Sequence, residues 1–186
     1  QFKHLLFAGA ARSDKGFSEV VSLVGHMHQL GLAIPVVMQT SPEQAGKYDA
    51  AIRADLKRLA DIGYPHLEIR GTTLSPDEYA GLFKGAVCLQ LYDAAAFADR
   101  ISGVTLDAFS HGSPVVSTPG SWIARKVERF DAGSIVADTS PETVLAAVQE
   151  QIAAFGAYAA RAAAAGAVLQ EENSAQTLID LLTTSA

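Results

Sequence analysis

The chain has 186 residues, of which 49% are hydrophobic and 18% charged, with a net charge of −6. That composition excludes a disordered chain, and an acidic balance without a long basic block argues against nucleic acid as the main partner. The single Cys88 excludes an internal disulfide framework and a multi-cysteine zinc site, and fits a reducing, cytoplasmic setting.

Strand-like and helix-like stretches alternate from end to end. Gln1–His4 runs straight into a first strand, Leu5–Ala8, with no leader pattern. Phe17, Val20, Val21, Val24 and Met27 then recur at helical spacing, and Gly31 closes that helix. Ile34–Met38 reads as the second strand. Ser41, Pro42 and Gln44 carry the signals of a helix start, with Ile52, Leu56 and Leu59 as the buried stripe and Gly63 as the stop. His66–Arg70 is the third strand, and Ser75–Pro76–Asp77–Glu78 repeats the helix-start signal. Ala86–Leu91 is a fourth, apolar strand, with Cys88 as a core residue rather than a nucleophile.

A helix is expected over Ser102–Ser110, a short buried strand over Gly112–Ser117, a helix over Ser121–Phe130 and a last strand over Gly133–Val136. Ser140–Pro141–Glu142 starts another helix. The alanine-rich stretch from Phe155 to Leu182 is expected to form one or two helices, broken near Gly166. Short apolar strands alternating with helices imply a parallel sheet with helices on both faces, an α/β Rossmann-like doubly wound fold, expected as one domain over residues 1–186. Such sheets bind ligands at the carboxyl ends of their strands, here the loops after Gly9, Gly71, Tyr92 and Ser117.

Three segments carry candidate chemistry. Gly9–Gly16 is a small-residue turn holding Arg12 and Lys15 ahead of a helix. Unpaired amides at a helix start suit phosphate, and Lys15 would add a full charge. The spacing is neither a Walker loop nor G-x-G-x-x-G, and an ordinary solvated turn fits equally well. In Asp99–Asp107 two carboxylates bracket Ser102–Gly103 at a helix start, but the spacing alone favours a capping acid and a solvated one. In His111–Trp122, His111 reads as the end of a helix, and Trp122 as packing on the domain or lining the cleft.

In this order the segments resemble the C-terminal, donor-binding domain of retaining GT-B glycosyltransferases, the glycogen-synthase-like and mannosyltransferase-like group 1 or family 4 enzymes. The resemblance rests on Phe7–Ala8–Gly9, Lys15–Gly16, Gly71 with Ser75–Tyr79, Asp99-x7-Asp107, Ala108–Val116 and Gly133–Val136, and it spans roughly Leu5 to Ile152. It implies a nucleoside-diphosphate-sugar donor, hexose transfer in polysaccharide or glycoconjugate synthesis, no metal or other cofactor, and a glycan, lipid or protein acceptor held by an N-terminal domain not among these residues. It gives Lys15 the donor diphosphate, Asp99 the hydroxyls of the transferred sugar, and Asp107 the ribose. Gly9, Ser102, Gly103 and Val104 would cradle the phosphates with backbone groups. Gly71, Thr73 and Leu74 would line the base, with Tyr79 nearby.

Two departures follow from the same residues. The family arginine after Gly9 is Ala10, so Arg12 would substitute from a shifted position. Both acids are Asp, and an arm shortened by about 1 Å can cost on the order of 100-fold in rate. Two other readings therefore stand beside donor binding: a degenerate, non-catalytic module, and a sugar-nucleotide epimerase domain built on the same fold.

Overall fold

The computed structural model describes residues 1–40 and 50–184. Among them, six strands form one parallel sheet: β1 (His4–Phe7), β2 (Val36–Gln39), β3 (Leu67–Arg70), β4 (Ala86–Gln90), β5 (Val115–Ser117) and β6 (Gly133–Ile135). The helices are α1 (Phe17–Gln29), α2 (Ala50–Ile62), α3 (Pro76–Phe83), α4 (Gly103–Ser110), α5 (Trp122–Phe130), α6 (Pro141–Ala153), α7 (Phe155–Glu172) and α8 (Ala175–Thr184). The strand order is β3-β2-β1-β4-β5-β6, the doubly wound arrangement expected from the alternation of elements.

The two-residue period of a strand explains how one sheet carries two apolar layers. Leu5, Phe7, Val87 and Leu89 face a layer closed by Phe17, Val20 and Val24 of α1, Ile52 and Leu59 of α2, and Val144 and Val148 of α6. Leu6, Ala86 and Cys88 face the opposite layer, closed by Phe83, Phe109, Ile123 and Val127, with Ala162 and Ala165 of α7. Parallel register puts Leu5 opposite Val36 on one side and Val87 on the other.

The helix starts follow their local chemistry. Ser75 forms a full capping box: its amide donates to Glu78 Oε2 at 2.9 Å, and the Glu78 amide donates back to Ser75 Oγ at 3.3 Å. Ser102, Ser121 and Ser140 each accept a first-turn amide in the same way. The start signal at Ser41–Gln44 lies outside the described residues. Leu56 is half-buried rather than fully buried beside Ile52 and Leu59.

Two expectations are corrected. The break in the alanine-rich stretch falls between α7 and α8, and Gly166 lies inside α7. A Cβ on Gly166 would sit 2.5 Å from the Phe109 carbonyl oxygen, so this glycine lets α7 press against α4. The strands are also not apolar throughout: β3 is an edge strand whose Glu68, Ile69 and Arg70 are exposed, with Glu68 and Arg70 paired at 2.6 Å. A strand with one neighbour has less covering it, and charges along it discourage pairing with a second chain. Among the described residues no single helix is long and apolar enough to cross a membrane.

Candidate functional site

The chain winds outward from β1 through β2 to β3, then returns to place β4 on the other side of β1. That reversal opens a crevice at the carboxyl ends of β1 and β4, where loops leave in opposite directions. The loop after β1 turns at Gly9 (φ +101°), whose amide donates to Gln39 Oε1 at 3.1 Å. It tightens into a single 3-10 turn over Ser13–Lys15 and enters α1 through Gly16 (φ +72°). A Cβ on Gly16 would lie 2.2 Å from the Leu91 carbonyl oxygen, so only glycine allows this loop to rest on the end of β4. The Asp93 amide donates to the Asp14 carbonyl at 3.0 Å and ties the two loops together.

The loop after β4 delivers the start of α4 to the same place. Gln90 is fully buried at the end of β4 and accepts from Thr105 Oγ1 at 2.6 Å, which anchors the first turn of α4 to the sheet. The amides of Gly103 and Val104, first in that helix, have no carbonyl one turn back to bond within it. A Cβ on Gly9 would lie 3.2 Å from the Lys15 ammonium and 3.9 Å from Val104 Cγ2. The Lys15 ammonium also stands 5.7 Å from the centroid of the buried Tyr92 ring. Gly9, Lys15, Ser102, Gly103 and Val104, predicted from scattered segments, thus meet around the first turn of α4.

The electrostatics are those of a partly dry cationic site. Burial pushes the Lys15 ammonium below the ordinary lysine value, Arg12 adds to the effect, Asp14 opposes it and Arg100 adds again. Burial raises the Tyr92 phenol well above its ordinary value. Arg12 pairs with Asp14 Oδ2, and Arg100 lies 3.9 Å from the same oxygen. Arg100 and Tyr92 are participants that residue patterns did not single out. Tyr92 had a signal, its place just past the end of a central strand; Arg100 had only its position beside Asp99.

The remaining predicted residues divide. Asp107 projects from α4 and accepts from the Tyr79 hydroxyl of α3 at 3.2 Å. Asp99 is almost fully exposed and pairs with Arg125 of α5 at 3.3 Å, so the two acids are held by different helices. Gly71, Thr73 and Leu74 lie in the loop from β3 to α3; Leu74 borders a groove of about 310 Å³ with Val37, Arg70 and Glu78. His111 caps the end of α4 and donates from Nδ1 to the Asp107 carbonyl at 2.8 Å, as its position implied. Trp122 is half-buried against the second apolar layer, its amide donating to Phe97 O at 2.9 Å. Among the described residues no group of three or more His, Cys, Asp or Glu is placed to hold a metal ion.

No protein-family model matches the sequence, and no curated protein matches it. Solved structures do match in fold. A sucrose-phosphate synthase from Thermosynechococcus elongatus aligns with a TM-score of 0.73 at 14% identity, over 100% of this chain and 46% of that one. Anabaena Alr3699/HepE, in complex with UDP and glucose, aligns with a TM-score of 0.69 at 13% identity, over 99% of this chain and 48% of that one. WaaG, a glycosyltransferase involved in lipopolysaccharide biosynthesis, aligns with a TM-score of 0.64 at 14% identity, over 98% and 47%. The chain therefore spans about half the length of the structures it matches. Its six-stranded parallel sheet and surrounding helices have the fold of one Rossmann-like half of a GT-B glycosyltransferase.

Proposed function

We propose that this chain is the donor half of a glycosyltransferase, binding a nucleoside-diphosphate sugar from which a hexose is transferred to an acceptor hydroxyl. The observation that carries this reading is the convergence of Lys15, Gly9 and the first turn of α4 at the crevice between β1 and β4. A half-buried ammonium near the start of a helix suits an anion, and a Rossmann crevice is where such sheets hold nucleotides. The UDP and glucose in the Anabaena structure support the choice of ligand class.

In such a transfer the bond from the sugar's anomeric carbon to the distal phosphate oxygen breaks, and negative charge grows on that phosphate. An acceptor oxygen bonds to the same carbon as its proton leaves. Lys15, Arg12 and the Ser102–Val104 turn would stabilise the departing diphosphate, with strength set by how well they are held before the reaction. Gln90 and Thr105 supply that rigidity by fixing the helix start from below. Asp107 would hold the ribose, Asp99 the sugar hydroxyls, and Gly71, Thr73 and Leu74 the base. The glycan, lipid or protein acceptor would sit on a second domain facing this crevice, in the cytoplasm, with no metal or other cofactor in the reaction.

One observation favours the degenerate reading: Asp99 is paired to Arg125, outside the cationic cluster. Calorimetric titration with UDP, GDP and ADP tests the proposal, repeated on Lys15→Ala and Asp107→Asn. Saturable binding of one nucleotide, weakened by both substitutions, is expected. A folded chain that binds none of the three would contradict donor binding.

A further inference from the structure

The cationic cluster holds one acid too many to be a bare phosphate site. Arg12 donates from Nη2 to Asp14 Oδ2, and Arg100 Nη1 lies 3.9 Å from the same oxygen. The other carboxylate oxygen, Oδ1, is buried and has no hydrogen-bond partner. Lys15, the next residue, feels both arginines as well as Asp14. Two arginines thus converge on one carboxylate at the mouth of the crevice.

Arg100 is placed there by packing as well as by charge. Its guanidinium lies 4.6 Å from the centroid of the Phe97 ring, and Phe97 packs at 4.6 Å on the Tyr92 ring that underlies Lys15. This aromatic shelf holds the planar cation against the site at little entropic cost. Arg100 stands two residues before Ser102, the cap of α4, so anything held by the Gly103 and Val104 amides lies within reach of its side chain. A guanidinium presents paired donors that match phosphate oxygens as well as carboxylate ones, and a diphosphate offers Arg100 more negative charge than one carboxylate does.

Resting on the donor-site reading, we propose that Arg100 is a diphosphate ligand supplied by the loop from β4 to α4, and that Asp14 is the internal anion that occupies Arg12 and Arg100 until a donor displaces it. Asp14 keeps the cations from repelling one another in the empty site and sets a threshold that only a more highly charged anion overcomes. The consequence is an opposition of sign: removing the arginine weakens binding, whereas removing the negative charge of Asp14 strengthens it.

The test is calorimetric titration of UDP, GDP and ADP into the wild-type chain, Arg100→Ala, Asp14→Asn and Lys15→Ala, with the corresponding nucleosides as phosphate-free controls and thermal melts to show each variant folded. Arg100→Ala is expected to weaken the bound nucleoside diphosphate about tenfold, the size of a charged hydrogen bond. Asp14→Asn is expected to tighten it about threefold or more, with the gain shrinking as salt rises. Asn keeps the backbone carbonyl that Asp93 uses, so the loop tie survives. Nucleoside binding should respond to neither change. If Lys15→Ala weakens binding while Arg100→Ala stays within about twofold, or if Asp14→Asn weakens it, the roles of Arg100 and Asp14 are wrong although the donor site stands. If the wild-type chain binds no nucleoside diphosphate, the donor reading and this inference fail together.

Discussion

The Tyr79 hydroxyl donates to the Asp107 carboxylate at 3.2 Å, joining α3 to α4. Tyr79 packs edge-on against Phe83 at 5.2 Å, so its position is set by the second apolar layer rather than by the acid it serves. Burial, with the neighbouring carboxylate adding to it, pushes the phenol far above its ordinary pKa, and the hydroxyl stays a donor throughout the physiological range. An Asp reaches less far than a Glu, and the Tyr79 hydroxyl fixes this shorter arm in one orientation. Tyr79→Phe removes that tether while leaving the ring. Nucleotide affinity is expected to fall about fivefold, equivalent to one hydrogen bond of about 1 kcal/mol, with little change in melting temperature. Asp107→Asn should cost more, and combining the two should add little, because both act through the same carboxylate. Calorimetry on the three variants measures this.

Gly166 and Gly156 both lie in α7, yet alanine at the two should act in opposite directions. Alanine is intrinsically the better helix former by about 1 kcal/mol. At Gly156 a Cβ would meet nothing within 4 Å, and Gly156→Ala should stabilise the chain by a few tenths of a kcal/mol. At Gly166 the same atom would lie 2.5 Å from the Phe109 carbonyl oxygen and 2.7 Å from the Ser110 amide nitrogen. Gly166→Ala must push α7 off α4, at an expected net cost of about 1–3 kcal/mol. Since α4 carries the candidate phosphate and ribose groups, nucleotide binding should weaken as well. Urea unfolding of both variants reads the two signs.

His4 gives the chain an acid-side weakness. Burial lowers its pKa from 6.5, outweighing the hydrogen bond from Nε2 to the Leu82 carbonyl at 2.8 Å and the attraction of Glu68, while Lys3 lowers it further. The folded state therefore prefers neutral His4. As pH falls below 6.5, the unfolded chain takes up the proton first and gains stability, so the fold weakens through that window and the loss levels off below the folded-state pKa. His4→Gln keeps a donor for Leu82 and removes the titration. Melting temperatures at about pH 7.5 and about pH 5.5 should converge more closely in the variant than in the wild type.

Cys88 should be inert while the chain is folded. It is fully buried in β4, and burial pushes its thiol up to about 12. Thiolate is the reactive form, so a disulfide exchange reagent should leave the native chain unmodified and label one thiol per chain in denaturant. Labelling at native pH at the rate of a free thiol would contradict the core assignment.

Much of the fold was legible because it is written locally. Apolar runs, serine caps and positive-φ glycines such as Gly31 and Gly63 depend on neighbours in sequence, and all six strands appear where such signals put them. What needed the structure depends on distance along the chain. The exposure of Glu68 and Arg70 follows from β3 being an edge, and strand order is invisible to periodicity. Gly166 looked like a helix break because its partner, Phe109, lies in a different helix. At the candidate site, the meeting of Lys15 with Gly9 and α4 was anticipated from the order of motifs. The partners of Asp99 and Asp107 were not, since Arg125 and Tyr79 come from two further helices. Arg100 and Asp14 carry no local pattern; their shared contact exists only once β1 and β4 are neighbours.

On the proposed reading a nucleoside diphosphate sits at the crevice between β1 and β4. Amide chemical shifts of the isotope-labelled chain, followed during titration with UDP, GDP and ADP, test it most directly. One nucleotide is expected to shift the amides of Gly9, Lys15, Gly103 and Val104 together with Asp107, and Lys15→Ala to reduce the response. Shifts confined to other regions, such as the groove between α4 and α7 lined by Leu106, Ser110 and Gln170, or no shifts with any of the three, would contradict it.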